Sequence, residues 1–150
     1  MKTISGIEGY RALAGEQLGE SDWLEVDQDR INQFADATGD HQWIHVDVER
    51  AKQGSFGTTI AHGFLTLSLI PALTGGLIKV DGVRMGINYG LNKVRFPNPV
   101  RAGSRVKASV RNLSVEDVQG GIQIVNEVTL SIEGEPKPAC VAETVTRLYT

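Results

Sequence analysis

Apolar positions recur along the chain in two rhythms, and the change from one to the other divides it in half. In the first half the spacing is helical. Leu24 and Val26 lead into Asp27, a side chain suited to capping a helix, after which Ile31, Phe34, Ala35 and Thr38 recur every three or four residues until Gly39. A helix from Asp27 to Gly39 is expected. The spacing predicts a short second helix over Val48 to Gln53, with Asp47 as cap and Gly54 as terminator. From about Ala61 to Thr74, Phe64, Leu65, Leu67, Leu69, Ile70, Ala72 and Leu73 spread around most of a helix's circumference. Such a helix is expected to be buried on nearly all sides.

Past Lys79 the rhythm becomes alternation. Arg105-Val106-Lys107-Ala108-Ser109-Val110 and the run from Cys140 to Leu148 alternate as strands with one buried face do. Extended segments are expected over Gly86 to Phe96, Arg105 to Val115, Gly121 to Glu133 and Ala139 to Leu148, with Gly120-Gly121 and Gly134-Glu135-Pro136 as hairpin turns. These strands, with one from the N-terminal segment, make an antiparallel sheet. A sheet with one apolar face and a helix apolar all round are both buried if the sheet curls around the helix. The expected class is α+β, a single hot-dog fold with an antiparallel sheet wrapped around a long central helix.

At 150 residues, with no repeat, low-complexity tract or linker rich in Pro and Ser, the chain is expected to be one domain over residues 1–150. Charged residues at 22% and hydrophobic ones at 41% exclude a disordered or fibrous class. Met1 to Tyr10 lacks the apolar core of a secretion signal. Ile60 to Val80 is interrupted by His62, Thr66, Ser68, Pro71, Thr74 and Lys79, so no membrane span is expected and the cytoplasm is the simplest address. Cys140 has no partner in the chain; flanked by Ala139, Val141 and Ala142, it reads as a buried thiol in a strand.

Net charge is only −3 but unevenly spread. Acidic residues dominate Glu16 to Arg50, whereas Ile78 to Lys107 holds Lys79, Arg84, Lys93, Arg95, Arg101, Arg105 and Lys107 against Asp81 alone. Most such runs are solvated strand faces. The sharper alternative is a groove for a phosphate-bearing ligand such as coenzyme A. Nucleic acid is not expected, because the chain is acidic overall and has no interleaved aromatic platform.

Two stretches carry candidate chemistry. Phe34-Ala35-Asp36-Ala37-Thr38-Gly39-Asp40-His41-Gln42-Trp43-Ile44-His45 sets an acid and an imidazole just past a helix stop, and Ile60-Ala61-His62-Gly63 opens the long apolar helix. On a continuous helix Asp40 and His45 would point about 140° apart and could not share a substrate. With Gly39 ending the helix, the following residues are free to fold back until both side chains converge on one water. A carboxylate, an imidazole and backbone N–H donors together can add water to a polarised double bond, which makes a hydratase the leading expectation. On these residues alone the commoner arrangement is plainer, with Asp40 bonding its own loop and His45 a satisfied buried polar group. His41 and His45 are four apart, yet Gly39 argues against a helix there and no other His or Cys cluster stands nearby in sequence, so no metal is expected.

Phe34-x3-Thr38-Gly39-Asp40-x-Gln42-Trp43-Ile44-His45-x5-Ala51 resembles the signature of the MaoC-like, (R)-specific enoyl-CoA hydratase family, in which Gly-Asp-x-Asn-Pro-aliphatic-His-x5-small is typical. Ile60-Ala61-His62-Gly63-Phe64-Leu65-Thr66 resembles that family's second landmark and Lys93-Val94-Arg95-Phe96-Pro97-x-Pro99-Val100 its third. Gln42-Trp43 replaces Asn-Pro: the carboxamide is kept, while the fixed φ of proline gives way to a large ring. The resemblance implies reversible syn addition of water across a trans-2-enoyl-CoA to give an (R)-3-hydroxyacyl-CoA, with coenzyme A part of the substrate and no separate cofactor. It implies Asp40 as base on a water held jointly with His45, His45 assisting at C2, and the Gly63 N–H as donor to the thioester oxygen. A homodimer is implied too, helped by the edge strands such a sheet leaves exposed, with coenzyme A straddling the subunit boundary.

Further candidates are weaker. Ser68 is a candidate thioester contact, although a helix hydroxyl more often bonds its own backbone. Gln42, Trp43, Phe56, His62, Asn88 and Tyr89 are candidate pocket residues, and Lys93, Arg95 and Arg84 candidate partners of the coenzyme A phosphates. Two rivals remain open. One is a hot-dog acyl-CoA thioesterase, directing water at C1 instead of C3; the other is a noncatalytic acyl-CoA-binding subunit of a heteromeric dehydratase.

Overall fold

The computed structural model describes residues 1–150. In chain order its elements are β1 (Lys2–Ile4), α1 (Gly6–Arg11), β2 (Gln17–Glu20), β3 (Leu24–Val26), α2 (Gln28–Thr38), α3 (Trp43–Val46), α4 (Val48–Ala51), α5 (Gly63–Ser68), α6 (Ile70–Thr74), β4 (Ile78–Val80), β5 (Met85–Arg95), β6 (Ser104–Val118), β7 (Gly121–Ile132) and β8 (Cys140–Tyr149). Local chemistry sets the bounds of α2. The Asp27 side chain accepts a hydrogen bond from the Arg30 N–H at 2.8 Å, and Gly39 takes φ 82°, a left-handed conformation in which its N–H reaches the Ala35 carbonyl. Asp47 caps α4 in the same way, accepting from the Arg50 N–H at 3.1 Å.

The main sheet runs β2-β6-β7-β8-β5, with β3 also paired to β6, and all of these pairings are antiparallel. Two N-terminal strands thus join the sheet where one was expected. β1 joins β4 instead, in a separate parallel pair that sequence pattern did not reveal. The β6–β7 hairpin turns at Gly120, at φ 83°, and Gly121 follows because a Cβ there would run into the Leu148 carbonyl.

The central helix differs from expectation in two respects. It is interrupted at Leu69, between α5 and α6, because Pro71 has no N–H to give the Leu67 carbonyl and its ring crowds that carbonyl. Nor is it buried all round. Leu65, Thr66, Leu69, Ile70 and Leu73 are buried against the concave face of the sheet, in a core with Val106, Ala108, Val110, Val128, Leu130, Cys140 and Ala142. Phe64, Ser68, Pro71 and Ala72 form an open side, with Phe64 73% exposed. The hot-dog plan stands nonetheless: a curled antiparallel sheet holds the helical segment in its palm. Cys140 is fully buried, and burial pushes its thiol up to about 11. No helix is long and apolar enough to cross a membrane.

Candidate active site

The left-handed turn at Gly39 releases Asp40 from α2, and α3 begins three residues later with Gln42 as its N-cap. His45 therefore stands on a short helix, where an open loop was expected. Its position is fixed from several sides. The His45 Nδ1 lies 2.7 Å from the Ile60 carbonyl oxygen, which can only accept, so Nδ1 carries the hydrogen and Nε2 presents a lone pair. The Gln28 side-chain amide donates to the His45 main-chain carbonyl at 2.8 Å, and the Gln28 side-chain oxygen in turn accepts from the Thr59 hydroxyl. Ile60 N–H closes the frame on the Ile44 carbonyl at 3.0 Å.

Asp40, exposed, and His45, only 6% exposed, converge with His62: one ligand-capable atom from each lies within 4.8 Å of the others. A single water can therefore reach both the carboxylate and the imidazole. One Asp40 oxygen accepts weakly from the Gln42 N–H at 3.3 Å, holding the turn and leaving the other oxygen free. Burial is the main influence on the His45 imidazole and moves it below its ordinary value. The hydrogen bond to Ile60 opposes this, the ring of His62 adds to it, and the charge of Asp40 opposes it. The neutral imidazole is accordingly the resting form near neutrality. Two imidazoles and a carboxylate are a possible cation cluster by type, but the His45 and His62 rings stack at 3.8 Å with only 23° between their planes. Lone pairs in nearly parallel rings do not converge on one ion, so the rings as placed do not fit a metal.

The other sequence candidates separate. His62 does not form a pocket wall, being 2% exposed and packed behind His45. Its Nε2 lies 3.0 Å from the Asp40 carbonyl oxygen. His41 turns away to Asp36 at 2.9 Å, and that hydrogen bond raises its imidazole. Trp43 is a packing pillar beneath the Arg50 guanidinium, 4.2 Å from its ring centre, and borders a small cavity of about 90 Å³ with Ala51 and Gly54. Phe56 touches that cavity and also a cleft of about 200 Å³ lined by Gly63, Thr66 and Phe96. One side of Gly63 is filled, since a Cβ there would meet the Phe96 ring at 3.3 Å; the glycine makes room for that ring.

Ser68 donates to the Phe64 carbonyl at 2.6 Å, as a helix hydroxyl ordinarily does, yet it also borders a cavity of about 500 Å³ between the central helix and the sheet. Asn88 lines the same cavity, opposite Thr146. Its neighbour Tyr89 sits at a bulge in β5 under the Arg147 guanidinium, 3.6 Å from the ring centre, and does not line the cavity. Arg84 and the pair Lys93 and Arg95 stand at opposite ends of β5, roughly 30 Å apart by strand rise, so they form no common phosphate site. Arg84 is engaged with the Thr150 carbonyl at 3.1 Å; Lys93 and Arg95 adjoin Phe96, at the end of β5 that passes the start of α5. Gln28 and Thr59 are the site residues that sequence reasoning missed, and no local pattern marks them.

A family model described as MaoC like domain matches residues 11–134. The chain is 55% identical over 148 residues to 3-hydroxyacyl-thioester dehydratase Z of Mycobacterium tuberculosis, covering 98% of each chain. It is 50% identical over 136 residues to Nodulation protein N of Rhizobium leguminosarum bv. viciae, covering 88% of this chain and 84% of that one. Among solved structures, the (R)-hydratase from A. caviae involved in PHA biosynthesis superposes with a TM-score of 0.74 at 23% identity, over 90% of this chain and 96% of that one. At that identity the likeness speaks for the shared fold.

Proposed function

The chain belongs to the MaoC-like domain family and is a hydratase/dehydratase of the hydro-lyase type, and we propose that it adds water reversibly across a trans-2-enoyl-CoA to give the (R)-3-hydroxyacyl-CoA. The observation that carries this reading is the meeting of the Asp40 carboxylate and the His45 imidazole within 4.8 Å, directly before the start of α5. A water there donates one hydrogen to Asp40 and the other to His45 Nε2. Its oxygen is then free to attack C3. As that bond forms, Asp40 takes a proton, and the electrons of the double bond move onto the thioester oxygen, toward the N–H of Gly63. Asp40 then gives that proton to C2 as the electrons return from the thioester oxygen, so that H and OH have been added in total and the carboxylate is restored.

The tautomer refines the role expected of His45. Because its Nε2 bears no hydrogen at rest, it enters as an acceptor that orients the water. The proton reaching C2 is then the one that the water brought. The cavity of about 500 Å³ beside Ser68 and Asn88 offers the acyl chain a mostly apolar berth. Lys93 and Arg95 remain the candidates for coenzyme A phosphates, and Arg84 does not.

A homodimer in the cytoplasm completes the reading. β5 is one edge of the sheet, and it exposes Met85, Ile87, Tyr89 and Leu91 along with the neighbouring Phe64 and Phe96. An apolar, unpaired edge of this length is a surface that soluble chains cover by pairing. The test is purified protein with enoyl-CoAs of increasing length, following loss of the conjugated chromophore and the chirality of the product. Release of free thiol without 3-hydroxyacyl product would replace the hydratase with a thioesterase, and an inert pure chain would make it a noncatalytic subunit.

A further inference from the structure

His62 touches both members of the pair, and it is nearly sealed from solvent. Its ring stacks on His45 with centroids 3.8 Å apart, and Phe34 closes its neighbourhood at 4.8 Å. Its Nε2 lies 3.0 Å from the main-chain oxygen of Asp40, an acceptor, so that nitrogen donates. The remaining nitrogen, Nδ1, is buried with no hydrogen-bond partner. A buried polar atom without a partner is a cost that an apolar ring of similar shape would avoid. Keeping an imidazole at this position is explained by what its other nitrogen and its face do.

Resting on the hydratase reading, we propose that His62 is a positioning residue: its Nε2–H ties down the Asp40 turn while its face sets the plane of the His45 ring, so that both acceptors hold one water. The ring face and the tether are separable. Phe keeps the face and the volume but has no donor, whereas Gln restores a donor near Nε2 and removes the face. The His62 ring is the side chain bonded to the Asp40 carbonyl, whereas the Gln42 main-chain N–H reaches the Asp40 carboxylate. Loss of the tether therefore frees the turn on the exposed side of the site.

The experiment compares wild type, His62→Phe, His62→Gln and, as a control on the chemistry, Asp40→Asn, with crotonyl-CoA as substrate and melting curves to establish folding. His62→Phe should lower kcat about tenfold to a hundredfold, the effect of a modest misplacement, with KM changed less than about threefold. His62→Gln should recover most of that kcat. It should also move the acid limb of kcat/KM to higher pH, because the ring that disfavours a charged His45 is gone. Asp40 and His62 are the titratable groups acting on His45, and the other residues bonded to it, Gln28 and Ile60, are uncharged. A kcat within about twofold of wild type in His62→Phe, or a His62→Gln variant no better than His62→Phe with an unmoved acid limb, overturns the proposal. If Asp40→Asn is itself fully active, the hydratase reading fails instead, and the two failures are told apart.

Discussion

Replacing Asp40 by Asn removes a proton acceptor and little else. The side chain is exposed, and its one hydrogen bond, from the Gln42 N–H at 3.3 Å, can be made equally by the oxygen of a carboxamide. The turn and the fold should survive unchanged. A positioned general base contributes about 10²–10⁴ in rate, which corresponds to roughly 2.7–5.4 kcal/mol of transition-state stabilisation. Hydration of crotonyl-CoA, read as loss of enoyl absorbance, should fall by that factor in kcat, with the melting temperature unmoved. If His45 and Asp40 act on the same water, as proposed, adding His45→Gln to Asp40→Asn should cost far less than the product of the two single losses. A well-folded Asp40→Asn enzyme running within about tenfold of wild type would refute the assignment of the base.

The other expected outcomes span pH, packing and assembly. His45 is held below its ordinary imidazole value chiefly by burial, so the unfolded chain takes up this proton first as pH falls. Its contribution to stability is complete above the unfolded value, about 6.5, and declines as pH drops from there toward the lower folded value; denaturant titrations across that window should show stability rising with pH, and the acid limb of kcat/KM should lie below about 6.5. Ile31→Ala, at a fully buried position of α2, should destabilise the protein by about 2–5 kcal/mol in urea unfolding, and a loss under about 1 kcal/mol would contradict the packing described. Ile87→Lys on the free edge should turn a dimer into a monomer in light scattering; a wild type already monomeric at micromolar concentration would remove the edge-pairing proposal.

How much was legible in the sequence follows from how far apart the causes lie. α2 could be read to its ends because Asp27 and Gly39 act on their own turns, and β6 and β8 because alternation is a property of each strand alone. The interruption at Leu69 was readable in principle, since Pro71 acts on its own helix, but the continuous apolar pattern outweighed it. β1 and β4 were not readable: Lys2–Ile4 and Ile78–Val80 pair with each other across the chain, and three residues apiece are too few for alternation to announce a strand. The same division runs through the site. Gly39, Asp40 and His45 show their relation in spacing, whereas Gln28 on the His45 carbonyl and His62 on the Asp40 carbonyl join positions 17 and 22 residues apart. Phe96 explains Gly63 only after β5 has been laid beside α5.

Those long-range contacts decide what the short-range motif can do. A glycine stop followed by an acid and a histidine yields a turn of some kind; it does not select which nitrogen of the histidine faces the acid. The Ile60 carbonyl does, by accepting from Nδ1 and leaving Nε2 bare. Were the ring reversed, a neutral His45 would present a donor to the water and compete with C3 for the oxygen lone pair. In the proposed mechanism both hydrogens of the water would have acceptors, one on an exposed carboxylate and one on a buried imidazole, and a lone pair would remain for the substrate. On that proposal the nucleophile would be oriented through a peptide carbonyl, that of Ile60, acting on the His45 tautomer. If the proposal holds, a substitution that displaces Ile60 from its β-bridge with Arg101 should lower kcat through that tautomer, and an unchanged kcat in such a variant would count against it.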